Sequence, residues 1–172
     1  ALLNEGLSVY AAARRLELMA DLATRGATPI KMDITHADEV EAAVERIERE
    51  QGGVDVLINN AGFGMFGAME DTTIDDARYQ FEVNLFGLAR LTQLVLPSMR
   101  NKRAGRIINI SSMGGKVYTP LGSWYHASKH AVVGISEALL AGPLQLADRI
   151  GDLVVEPIRH PAAAAHVLDA GG

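Results

Sequence analysis

The 172 residues contain no cysteine. That excludes disulfides, thiol nucleophiles and Cys-ligated zinc together, and it agrees with a reducing, cytoplasmic setting. Positive charge is in deficit, with 16 Lys plus Arg against 21 Asp plus Glu and a net charge of -5. A nucleic-acid binder needs a basic face to neutralise phosphates, so no nucleic-acid partner is expected. No apolar run approaches the roughly 20 residues of a membrane span, and no basic start leads into an apolar signal segment. What is present is a core-forming composition, 48% hydrophobic and 22% charged, in a length that suits one domain.

Short apolar runs alternate with amphipathic stretches. Leu7 to Ala13, Pro29 to Met32, Val54 to Ile58 and Arg106 to Ile110 read as strands. Arg14 to Thr24 reads as a helix, with Leu18, Met19 and Leu22 on one face. Thr35, with Asp38 three positions on, reads as the capped start of the next, whose stripe is Val40, Val44 and Ile47. Thr73 and Asp76 open a long helical region to about Arg100, and another helix spans about Trp124 to Leu140. Strands alternating with helices predict an α/β fold, a Rossmann-type doubly wound parallel sheet with helices on both faces. Ligands of such sheets bind outside the carboxyl ends of the strands, where Asp33, Asn59 to Gly62 and Ser111-Ser112 fall.

The sharpest local signal is Tyr125-His126-Ala127-Ser128-Lys129. Tyr125 and Lys129 share a helix face at this spacing. A nearby ammonium favours the phenolate, which makes a tyrosine useful for moving a proton to or from an alcohol or carbonyl. A lone pair of this kind is more often surface decoration. Ser112, after a strand and thirteen residues before Tyr125, adds a hydroxyl able to donate to a substrate oxygen. Three other patterns carry less. Gly62 to Gly67 satisfies G-x-G-x-x-G but does not open a helix, so it is read as cleft lining. His126 and His130 sit four apart without a third ligand, so no metal is expected. No G-x-S-x-G elbow supports a serine hydrolase.

In order along the chain, D-I-T at Asp33 to Thr35, D-V-L-I-N-N-A-G at Asp55 to Gly62, N-L-F-G at Asn84 to Gly87, the strand Gly105 to Ser112, and Tyr125 with Lys129 resemble the short-chain dehydrogenase/reductase family. The resemblance spans roughly residues 7 to 140. It implies a hydroxyl/carbonyl oxidoreductase with Tyr125 as general acid and base. Lys129 would lower the Tyr125 pKa and bind the nicotinamide ribose, Ser112 would polarise the substrate oxygen, and Asn84 would keep a relay water. It also implies cofactor contacts from Asp33, Ile34, Asn60, Ala61 and Gly62. Homodimers or homotetramers pairing through the helices near 75–100 and 124–140 would follow from the same resemblance.

NADP(H) is expected over NAD(H). A site selecting NAD carries an acid after the second strand, whereas here Ala13 is followed by Arg14 and Arg15, whose guanidiniums suit a 2′-phosphate. Phe63, Met113, Gly114 and Tyr118, with Phe66 and Trp124, point to a small, apolar alcohol or carbonyl substrate. The chain departs from the pattern at two places. The first strand and its glycine-rich phosphate turn are not found, and an internal segment near Leu140 to Gly142 reads as missing from the single domain of residues 1–172. Val154 to Pro157 reads equally as a strand or as the end of a helix from Leu144 to Val155. The alternative function is a catalytically silent nucleotide- or partner-binding member of the fold.

Overall fold

The computed structural model describes residues 2–141 and Val154–Glu156. A short 3-10 turn at Leu2–Glu5 leads into β1 (Tyr10–Ala13), a 3-10 turn at Leu16–Met19, α1 (Ala20–Thr24) and β2 (Thr28–Lys31). Next come α2 (Ala37–Gln51), β3 (Val56–Asn59), α3 (Ile74–Phe81), a π-helical turn at Glu82–Phe86, and α4 (Gly87–Lys102). β4 (Arg106–Ile110), a 3-10 turn at Met113–Gly115, α5 (Ser123–Ala141) and β5 (Val154–Glu156) complete the order. Every strand pairing is parallel: β1 with β2, β3 with β4, and β4 with β5. Strands alternating with helices make this an α/β fold of the Rossmann type.

One apolar core joins the two strand groups. Ile30, Met32 and Ile34 pack with Val40 and Ala43 of α2, while Val44 packs with Val95 and Met99 of α4 and Ile107 of β4. Leu91 and Leu94 of α4 touch both clusters, so α2 and α4 hold the β1–β2 pair against the β3–β4–β5 group. The Val40, Val44, Ile47 stripe does what its spacing predicts. α2 ends where Gly52, at φ 75°, takes the left-handed conformation and donates its N–H to Glu48 O.

Several sequence readings need correction. The first strand begins at Tyr10, not Leu7, which is 49% exposed. The expected helix from Arg14 is a 3-10 turn followed by five α-helical residues. Met19 is buried but Leu18 is 61% exposed, because the 3-10 turn rotates side chains differently from a 3.6-residue helix. α2 starts at Ala37, two residues after the predicted cap. The Thr35 N–H and hydroxyl both donate to Asp33 Oδ1, at 2.9 and 2.7 Å, so this threonine closes a turn instead. The Thr73 cap is present, with Asp76 N–H donating to Thr73 Oγ1 at 3.1 Å and Thr73 Oγ1 donating to Asp76 Oδ2 at 2.6 Å. Val154–Glu156 is a strand beside β4, which decides that ambiguity. Residues 144–153, the remainder of the alternative helix, lie outside the described residues.

Candidate active site

β3 and β4 run parallel with Asn59 opposite Asn109, so the segments after them emerge side by side. The two asparagines are buried and bonded, Asn59 Nδ2 to Asn109 Oδ1 at 2.9 Å. Asn59 Nδ2 also reaches Thr92 Oγ1 of α4 at 3.3 Å, and Asn109 Nδ2 donates to Ser136 Oγ of α5 at 2.9 Å. This polar chain fixes both strand ends to the two helices that flank them, since a slip would orphan buried amides. Nothing in the sequence pattern singled out Asn109, Thr92 or Ser136, because such a network exists only once the strands are paired.

Asn84 lies in the π-helical turn and is 1% exposed. Its Oδ1 accepts Phe63 N–H at 2.9 Å. Its Nδ2 donates to Phe63 O at 2.9 Å and to Ser128 Oγ at 3.0 Å, and Gln80 Nε2 adds a bond to Phe63 O at 3.4 Å. Asn84 therefore clamps the loop after β3 to α5. Ser128, fully buried and donating to Tyr125 O at 2.8 Å, was not singled out from the sequence. No helix follows Gly62 to Gly67, and the next starts at Ile74, in keeping with a cleft-lining loop.

Lys129 is 6% exposed, and its Nζ donates to Ile110 O at the end of β4, 3.2 Å away. Burial pulls its pKa down to about 8. At pH 7 it is still mostly charged. A Cβ on Gly62 would lie 3.1 Å from Asn84 Oδ1 and 3.3 Å from Lys129 Nζ, so the glycine keeps the space beside this ammonium open. Ser111 is buried and donates to Lys129 O at 3.0 Å, an orienting bond. Ser112 accepts Gly114 N–H at 3.1 Å, which leaves its own hydroxyl hydrogen available to a substrate. The Tyr125 ring packs against Phe66, centroids 5.3 Å apart, and a Cβ on Gly114 would come within 3.0 Å of it. Asn84, Ser112, Tyr125 and Lys129 are thus brought to one cleft at the ends of β3 and β4.

Other predicted residues are more dispersed. Arg14 Nη1 donates to Tyr79 OH at 3.3 Å, and the Tyr79 ring packs tilted against Phe63 at 5.6 Å, which links the end of β1 to the cleft loop. Arg15 precedes the 3-10 turn in extended conformation. Burial pushes the Asp33 carboxyl up. The Thr35 hydrogen bonds and the charges of Arg14 and His36 outweigh this and hold it below the usual carboxylate range. Ile34 is buried against Gly87, so its side chain belongs to the core. Asn60 and Ala61 are exposed. Met113 is 64% exposed. Tyr118, 79% exposed, stacks on His130 at 5.2 Å and lines a depression of about 340 Å³ with Thr119, Ser123, His126, Ala127 and His130, apart from Ser112 and Lys129. Among the described residues, no group of three His, Asp or Glu could hold a metal.

Residues 1–144 match the short chain dehydrogenase family. The chain belongs to that family. It is 50% identical over 108 residues to 3-ketodihydrosphingosine reductase of Bacteroides thetaiotaomicron, which covers 63% of this chain and 40% of that protein. A solved short-chain dehydrogenase from Streptomyces avermitilis superposes with a TM-score of 0.82 at 35% identity, covering 89% of this chain and 56% of the other. ElxO, solved with NADP bound, superposes at 0.76 with 26% identity, covering 86% and 61%. The chain therefore spans about half the length of the relatives it matches.

Proposed function

We propose that this short-chain dehydrogenase interconverts a hydroxyl and a carbonyl, with NADP(H) as the hydride carrier and Tyr125 as the proton carrier. The observation that carries the reading is the buried ammonium of Lys129. It sits one helical turn from Tyr125, beside a space that Gly62 keeps open. In reduction Tyr125 gives its proton to the substrate oxygen, and in oxidation it takes one. Ser112 donates its free hydrogen to the same oxygen as negative charge develops there. The Asn84 amide holds Phe63 and Ser128, and Asn84 would keep a relay water beside Lys129.

The bound cofactor supplies or accepts the hydride. Asn60, Ala61 and Gly62 would line its path, Tyr125 and Lys129 its ribose, and Asp33 and Ile34 the adenine. Arg14 and Arg15 would meet the 2′-phosphate. The resemblance to NADP-bound ElxO supports this order of preference. Phe63, Met113 and Gly114 border the substrate side, and Tyr118 stands further out. The apolar lining and the similarity to 3-ketodihydrosphingosine reductase make a ketone on a hydrocarbon chain the substrate class to test first.

The test follows NADPH oxidation against a carbonyl panel that includes 3-ketodihydrosphingosine. Tyr125→Phe is expected to lower kcat about 100-fold or more with the NADPH Kd unchanged. Full turnover in that variant would overturn the mechanism, and NADPH binding without any turnover would favour a silent nucleotide-binding member.

A further inference from the structure

We propose that His126 is the positioning residue that sets the substrate wall of the cleft. The proposal rests on the reading of Ser112 and Tyr125 as the groups that meet the substrate oxygen. His126 is 7% exposed and follows Tyr125 directly on α5. Its Nε2 lies 2.9 Å from Thr119 N, and its Nδ1 lies 3.0 Å from Gly114 O. A backbone N–H can only donate and a carbonyl can only accept. Nε2 is therefore the acceptor and Nδ1 carries the hydrogen, which fixes the ring as one neutral tautomer.

Both partners belong to the segment that follows Ser112. Gly114 sits between the two rings of α5: a Cβ there would lie 2.9 Å from His126 Nδ1 and 3.0 Å from Tyr125 Cε1. The Gly114 N–H is the group that holds Ser112 Oγ. Displacing the imidazole displaces Gly114, and with it the Ser112 hydroxyl relative to Tyr125. The second contact holds the Thr119 end of the following loop. In that loop Leu121 has φ 64°, a left-handed conformation that a leucine keeps only when neighbours enforce it. Leu121 O accepts Gly67 N–H at 2.8 Å, tying the loop to the segment that lays Phe66 on Tyr125. One imidazole thus fastens both walls beside Tyr125.

The test separates the two contacts. In His126→Asn the amide reaches Gly114 O from the Nδ1 position, and in His126→Gln the amide oxygen reaches Thr119 N–H from the Nε2 position. For carbonyl reduction, His126→Ala is expected to lose at least tenfold in kcat/KM, mostly through KM, with the NADPH Kd within twofold of the parent. His126→Asn is expected to recover most of that loss and His126→Gln little of it. Equal losses in Ala and Asn, or a kcat/KM in His126→Ala within twofold of the parent, overturn the proposal. Should His126→Ala not fold, the order of Asn over Gln decides. Should the parent protein reduce no carbonyl, the proposed function fails, and amide exchange then tests the pin without turnover. Thr119 N–H is expected to exchange at least tenfold faster in His126→Asn than in His126→Gln, and equal rates overturn the pin.

Discussion

Lys129 shows how a single residue is both a cost to folding and a source of chemistry. Its pKa falls from 10.5 to about 8 on burial, so the folded protein holds its proton less tightly than the unfolded chain. Between about pH 8 and 10.5 the unfolded state binds more protons, and the contribution of this group to stability must rise with pH through that window. At pH 7 both states are protonated and the fold bears the full desolvation cost, on the order of 3 kcal/mol. Lys129→Met is therefore expected to raise Tm at pH 7 in the cofactor-free protein and to lose that advantage near pH 10.5, as calorimetry at the two pH values would show. The same variant is expected to abolish turnover. Charge on Lys129 is lost above about pH 8, so carbonyl reduction is expected to decline through that pH, and a profile flat from pH 7 to 10 would contradict the assigned role.

At the scale of elements, two helix features decide how the cleft is held. Thr73 supplies the oxygen for an otherwise unpaired N–H at the start of α3. Thr73→Ala is expected to cost about 1 kcal/mol, read from denaturant midpoints. Gly87 opens α4, where the helix meets the end of β2. A Cβ there would lie 2.5 Å from Ile34 Cγ1 and 2.9 Å from Ile34 O. Backbone on that side cannot turn away as a side chain can, so Gly87→Ala must push α4 off the Asp33–Thr35 turn. The expected result is a loss of about 1–3 kcal/mol from overpacking, with weaker NADPH binding because Asp33 moves. Both effects are local, and both were legible in part: Thr73 from its spacing to Asp76, Gly87 as a motif position without its reason. The Thr35 cap failed because the bonds to Asp33 hold Thr35 in a turn and α2 begins only at Ala37, a competition among neighbours that a cap pattern does not weigh.

For the molecule as a whole, the outer side of the α3–α4 region is apolar. Phe86 is 50% exposed and, with Phe81, Trp124 and Ile74, borders a depression of about 220 Å³. Exposed apolar patches of this kind mark association sites. A homo-oligomer pairing through the helices near 75–100 and 124–140 is the proposal. Light scattering is expected to give a multiple of the protomer mass, with Phe86→Asp shifting it toward the protomer. Domain completeness is a proposal of the same scale. Among the described residues, β1 pairs only with β2, and β3 pairs only with β4, while Val56 and Ile58 of β3 stay 43% and 42% exposed. A further strand between β1 and β3 would make one continuous sheet. An intact mass of the purified protein above 18.4 kDa is the expected outcome.

By itself the sequence determined the alternation of strands and helices and the parallel α/β class, and it named four candidate site residues that the fold brings near the ends of β3 and β4. Those features are written in local periodicity and in motif spacing, and spacing along a strand or helix translates directly into position. It could not determine which buried polar groups would meet. The Asn59–Asn109–Ser136 chain, the grip of Asn84 on Phe63 and the two bonds of His126 join residues 7 to 50 positions apart. Their partners are chosen by strand register and helix packing. The sequence placed His126 as a histidine without a metal, whereas the tertiary structure gave its two nitrogens opposite tasks, because only there do Gly114 O and Thr119 N–H stand on either side of the ring.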